Sequence, residues 1–154
     1  MSDICIRSAQ PSDRSGLVRL RVALWPNSSA EEHDRELAAI LDGERVVTMP
    51  LTILVAETGD RTLVGFLEVD LRSHADGCHP AQPVGYVEGW YVVEGHRHQG
   101  IGKKLIKEAE DWARSHGCVE MASDTWIDND VSQRAHEALG YEVVDRCVHY
   151  RKAL

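Results

Sequence analysis

The spacing of apolar and polar positions changes several times along this chain, and each change marks an element. Residues 4–9 alternate weakly and predict an edge strand, which gives way to a helix-start signal at Pro11-Ser12. Leu17, Leu20 and Leu24 then form one helical stripe, stopped by Trp25-Pro26. Ser29 and Glu32 have the spacing of a capping box for a second helix with Leu37, Ile40 and Leu41 on its apolar face. Residues 51–56 and 63–71 are apolar stretches joined through Glu57-Thr58-Gly59-Asp60-Arg61, which predicts a hairpin of antiparallel strands. Residues 74–83 carry turn formers and no period, so they predict an exposed loop, and residues 84–93 predict the next strand. Gly89 inside that strand predicts a bulge. From Gly100 the period lengthens, and Ile101, Leu105, Ile106, Ala109, Trp112 and Ala113 share one helical face that closes at His116-Gly117. A short buried strand at residues 119–123, a helix between Asn129 and Gly140 and a final strand or hairpin at residues 141–152 complete the chain.

This order of elements predicts an α/β or α+β fold, a mixed sheet with helices packed on it. The 154 residues contain no repeat, linker or low-complexity tract and predict one domain spanning residues 1–154. With 43% hydrophobic and 27% charged residues and no long apolar run, both disorder and a membrane span are disfavoured. Met1-Ser2-Asp3-Ile4 lacks the basic and apolar regions of a secretory signal, so the cytoplasm is the expected location. The four cysteines, Cys5, Cys78, Cys118 and Cys147, lie far apart and read as free thiols. His74, Cys78 and His79 lack an evident fourth ligand, and no metal is expected.

Charge narrows the choice of partner. A net charge of −8 repels phosphate backbones and argues against nucleic acid, leaving a cationic partner as the natural one. Yet Arg97, Lys103, Lys104 and Lys107 stand together without an intervening carboxylate, which makes one local anion site in an acidic protein. Within it, Arg97-His98-Gln99-Gly100-Ile101-Gly102 lies where a strand gives way to a helix. Glycines there let backbone amides point at a bound phosphate, although tight turn geometry alone would also call for them. The run lacks a Walker ending and the full dinucleotide pattern, which excludes nucleotide hydrolysis as the first expectation.

Arg-x-x-Gly-x-Gly after the strand Tyr86-Val87-Glu88-Gly89-Trp90-Tyr91-Val92-Val93 resembles the acetyl-CoA signature of the GNAT acetyltransferases. The resemblance covers nearly the whole chain. It implies a mostly antiparallel central sheet, splayed at the acetyl-CoA cleft, with helices on both faces. It implies acetyl-CoA as co-substrate, held by Tyr91, Val92, Arg97, His98, Gln99, Gly100, Ile101, Gly102 and Lys103, with Asn129 added from the following helix start. More narrowly, Leu24-Trp25-Pro26, Val87-Glu88-Gly89, Met121-Ala122-Ser123-Asp124-Thr125 and His136-Glu137-Ala138-Leu139-Gly140-Tyr141 are similar to the aminoglycoside 6'-N-acetyltransferases. That similarity implies a resistance enzyme, often a homodimer, acting on the 6'-amine of a polycationic drug.

Glu120, Asp124, Asp128 and Asp130 crowd one segment and would attract such a polycation; Glu120 and Asp128 also fit a solvated loop and a helix cap. Attack on a thioester requires a neutral amine, so a carboxylate must draw in the ammonium and take its proton. Asp124 and Glu88 are the candidates, and Trp25 is a candidate wall for a sugar ring. The amide of Val92 would polarise the thioester carbonyl. His136 stands where the wider superfamily commonly has a tyrosine proposed to protonate the leaving thiolate, so it is either that acid or a satisfied helix histidine. Tyr150 is a weaker site candidate. Other acceptors, a protein N-terminus or a small polyamine, and a silent CoA-binding module share the same fold.

Overall fold

The computed structural model describes residues 3–44 and 49–154, so Met1-Ser2 of the N-terminal reading lies outside it. Its sheet has five strands in chain order: β1 (Cys5–Ser8), β2 (Leu51–Glu57), β3 (Leu63–Arg72), β4 (Val84–Val92) and β5 (Met121–Ser123). The first four run antiparallel, and β5 lies parallel to β4. Parallel neighbours need a crossover, supplied here by α3 (Ile101–Ser115). Helices α1 (Arg14–Leu24) and α2 (Ala30–Leu41) join β1 to β2, and α4 (Asp130–Ala138) follows β5. Among the described residues no helix is long and apolar enough to cross a membrane.

Both faces of the sheet are covered, which is why β2 and β3 read as continuous apolar runs. Ile53, Val55 and Phe66 meet Leu17, Leu20 and Leu37 of α1 and α2, whereas Leu54, Leu67, Val69 and Val87 meet Ile101, Leu105, Ile106 and Ala109 of α3. The capping box forms as expected: Ser29 Oγ accepts from the Glu32 amide at 3.1 Å, and the Glu32 carboxylate accepts from the Ser29 amide at 2.8 Å. A buried ion pair pins α1 to the sheet, with Arg21 donating to both oxygens of Glu68 on β3 at 2.6 and 2.9 Å. Arg21 also donates to Glu36 of α2 at 2.9 Å, so one guanidinium holds three elements.

Two features of β4 shape the cleft. Glu68 faces Gly89 but Val69 faces Val87, so Glu88 is the extra residue of the expected bulge. On its other edge β4 pairs with β5 at only three positions, Gly85 with Met121, Tyr86 with Ala122 and Val87 with Ser123. Beyond Val87 the strands part, leaving the outer backbone edge of residues 88–92 open.

The final strand or hairpin expected at residues 141–152 does not form. Val143, Val144, Val148 and Tyr150 stay exposed, so the segment finds neither a partner strand among the described residues nor a face to bury. The strand expected at residues 119–123 is trimmed to Met121–Ser123. All four cysteines are free.

Candidate active site

One side of the parting is built from backbone. The Val93 amide donates to the Val64 carbonyl across the β3–β4 pair at 2.9 Å. Peptide groups alternate along an antiparallel strand, so the Val92 amide faces the opposite way, into the space left by β5. The Val92 carbonyl on that side accepts from Arg97 Nε at 2.8 Å, and the Arg97 guanidinium lies 5.6 Å from the ring centre of Tyr91. The sequence-predicted Tyr91, Val92 and Arg97 are thus brought together.

The turn beyond them is wound by left-handed residues, His98 at φ 61° and Gly100 at φ 79°. Gly100 is the N-cap of α3 and makes no side-chain cap. The first intrahelical bond runs from the Lys104 amide to the Gly100 carbonyl at 3.0 Å, so the amides of Ile101, Gly102 and Lys103 point outward at the positive end of the helix. Gln99 braces the turn through Nε2 to the Gly95 carbonyl at 3.4 Å. Gly102 has its own reason to be glycine, because a Cβ there would sit 3.0 Å from the Trp90 ring. The indole nitrogen of Trp90 is buried with no hydrogen-bond partner among the described residues. An outward fan of amides with exposed Lys103 and Lys104 fits an anionic ligand. Trp90 was not among the residues singled out from sequence; its only signal is its place on the strand just before the turn.

The other side is built from side chains. Tyr86, buried on β4, donates its hydroxyl to Asp124 Oδ2 at 2.6 Å. Burial, then the hydrogen bond to Asp124 and its charge, push the Tyr86 phenol above its ordinary range, so it remains a donor. Arg72, at the end of β3, donates through Nε and an Nη to Glu88 Oε1 at 3.0 and 2.6 Å, and its guanidinium lies 3.4 Å from the centre of the Tyr86 ring. Asp124 and Glu88 therefore occupy one locus, linked through two residues that sequence reasoning missed. Their signals were slight: a cation closing an apolar strand, and a tyrosine two positions before Glu88.

Trp25 closes this locus at the bulge. A Cβ on Gly89 would lie 2.6 Å from its ring, which also meets Phe66 edge-on at 6.0 Å and stacks with His33 at 6.2 Å.

His136 is tied at both nitrogens. Nδ1 lies 2.7 Å from the Ser132 carbonyl, which only accepts, so Nδ1 carries a proton; Nε2 lies 2.8 Å from Ser123 Oγ. The ring thus joins α4 to β5 and packs edge-on against Trp90 at 5.3 Å and Tyr141 at 5.7 Å. Asn129, expected on the cofactor, uses its Oδ1 to accept from the Ser132 amide at 3.0 Å; the cap of α4 is Asn129 and not Asp128. Glu120 accepts from the His79 amide at 2.8 Å and so fastens the loop at residues 74–83 to the β5 side. Tyr150 is at the surface, away from these contacts. Among the described residues no three His, Cys, Asp or Glu side chains are grouped to hold a metal ion.

The Acetyltransferase (GNAT) family profile matches residues 16–141. The chain belongs to that family. The GNAT span takes in both carboxylates, the glycine turn and His136, and stops short of most of the exposed C-terminal segment. Over 149 residues the chain is 39% identical to aminoglycoside N(6')-acetyltransferase type 1 of Klebsiella aerogenes, covering 97% of this chain and 96% of that one. Its counterpart in Serratia marcescens is 43% identical over 136 residues, 88% of this chain and 89% of the relative. Among solved structures, AAC(6')-Iy in complex with the bisubstrate analog CoA-S-monomethyl-acetylneamine superposes with a TM-score of 0.87 at 32% identity, covering 99% of this chain and 100% of that one.

Proposed function

We propose that this GNAT protein transfers the acetyl group of acetyl-CoA to the 6'-amine of aminoglycoside antibiotics, by direct attack in a ternary complex, and so confers resistance. The observation that carries the reading is a juxtaposition. A free backbone amide at Val92 faces the parting of β4 and β5, and two carboxylates, Asp124 and Glu88, stand beside that parting at the bulge. The named activity of the relatives and the bisubstrate analog bound by AAC(6')-Iy support it.

Bound at the cleft, acetyl-CoA supplies an activated acetyl thioester. The amides of residues 98–103 with Lys103 hold its pyrophosphate, and the open edge of the strand ending at Val92 pairs with the pantetheine arm. The Val92 amide donates to the carbonyl oxygen where negative charge develops. Glu88 and Asp124 attract the ammonium, and Asp124 accepts its proton directly or through water. Trp25 forms the apolar wall for the sugar ring. His136 is assigned to holding α4 against β5, and the thiolate leaves as such or takes its proton from water.

The reading extends to one domain at residues 1–154, in the cytoplasm where the co-substrate is available, and to a homodimer. Val143, Val144, Val148 and Tyr150, exposed with Trp126 and Ile127, support the dimer as apolar surface calling for cover. Free-thiol release from acetyl-CoA, measured against paired drugs bearing a 6'-amine or a 6'-hydroxyl, tests the activity. Turnover is expected with the amines alone. Turnover of peptides or small polyamines with no aminoglycoside active would overturn the acceptor assignment.

A further inference from the structure

Arg72 is an odd residue to find in a site meant for a polycation. It projects from the end of β3 into the acidic locus and places a positive charge where substrate ammonium groups are expected. Around it stand Glu88 on β4, the face of Tyr86 on β4 and, acting through its charge, Asp70 on β3. Beyond the Tyr86 hydroxyl stands Asp124. Both guanidinium donors converge on a single oxygen, Oε1 of Glu88. The same guanidinium lies over the ring whose hydroxyl grips Asp124. One string, Glu88–Arg72–Tyr86–Asp124, therefore runs between the two carboxylates across β3, β4 and the end of β5.

We propose that Arg72 is the positioning residue of the acceptor site, holding Glu88 by one oxygen and Tyr86 by its ring so that Glu88 and Asp124 are set at a fixed separation, at the cost of weaker attraction for the substrate cation. This rests on the reading of the protein as an acetyltransferase of cationic amines. It yields a signature that general damage does not produce. Loss of Arg72 frees both carboxylates to wander, which lowers turnover. It also removes a like charge from the path of the ammonium, which tightens binding. Arginine is required by shape as well as charge, because a planar fork stacks on a ring and donates twice at once, and an ammonium does neither.

The test is steady-state kinetics of Arg72→Gln and Arg72→Lys with acetyl-CoA and tobramycin, together with thermal unfolding of each variant. For Arg72→Gln the expected result is a kcat lower by about a hundredfold, the scale of a misplaced reacting group, with KM for the drug lower than wild type and an unfolding midpoint close to wild type. In Arg72→Lys the drug KM returns towards wild type while kcat recovers only in part. Tyr86→Phe should lower kcat in the same sense, and the double variant with Arg72→Gln should be little worse than either single one, because both act on one string. A wild-type kcat in Arg72→Gln overturns the proposal, as does a fall in kcat accompanied by a raised KM and an early unfolding midpoint. If the wild-type protein ignores tobramycin but acetylates another cationic amine, the aminoglycoside reading fails, and the same comparison is made with that amine, where the same split is expected. A protein that acetylates no cationic amine overturns both.

Discussion

Asp124 and Glu88 are held differently, and the difference divides their work. Among the described residues the Asp124 carboxylate takes its side-chain hydrogen bond from a neutral phenol, whereas Glu88 already faces a guanidinium. Asp124 is accordingly the proposed base and Glu88 the proposed anchor for the ammonium. Asp124→Asn is expected to lower kcat by about 10² to 10⁴, the usual contribution of a positioned base, and Glu88→Gln to act mainly on KM for the drug. Kinetics at several pH values check this: if both variants keep the wild-type turnover number and pH profile, proton removal belongs to solvent or to the drug's own amines. Gly89 is a second residue with a sharp expectation. Even one methyl group there meets the Trp25 ring at 2.6 Å, so Gly89→Ala must push Trp25 or the bulge aside. A loss of about 1 to 3 kcal/mol in urea unfolding, with a raised drug KM, is expected. This pairing was invisible in sequence. Gly89 announced a bulge and Trp25 a helix stop, but their contact depends on where the end of α1 lands on the sheet.

At the scale of elements, the start of α3 and the end of β4 act as one unit. Gly100 is left-handed at the N-cap of α3, so a side chain there strains the turn although a Cβ meets no other group within 4 Å. Gly100→Glu adds a negative charge at an anion site and is expected to abolish coenzyme A binding in calorimetric titration of the folded variant; wild-type affinity would make the turn merely structural. The α4–β5 contact makes the opposite kind of prediction. His136 is bonded to its own helix and to Ser123, so His136→Phe should keep turnover within about tenfold, while a loss beyond about a thousandfold with cofactor binding intact would mark a general acid. Local rules made much of this scale legible: the capping box at Ser29 and Glu32, the helix face from Ile101 and the bulge beside Gly89 each depend on near neighbours in the chain. Residues 141–152 show where such rules fail. The closing segment reads as a strand or hairpin, but a strand also needs a partner and a face to bury, and those are settled by the whole fold. Asn129 shows the same limit in miniature, since whether it or Asp128 caps α4 turns on one residue of register.

For the whole molecule, charge and backbone divide the two substrates between them. A net charge of −8 favours approach of a polycation, and that attraction is screened over about 8 Å at physiological ionic strength. Raising salt should therefore raise the KM for the drug while leaving kcat little changed; a KM independent of salt would show that the acidic locus does not capture the substrate by charge. The acceptor side was the less legible half of the site. The glycine turn is contiguous in sequence, whereas Arg72, Tyr86 and Asp124 meet across β3, β4 and the end of β5. The parting of β4 from β5 after Val87 also bears on how such a protein evolves. It offers the donor mainly peptide groups, which every residue but proline possesses, and a few glycines whose replacement is penalised at once. The acceptor meets side chains, each exchangeable by a single codon. Selection by a new drug can therefore rewrite the acceptor wall position by position while the grip on the acetyl donor is inherited unchanged.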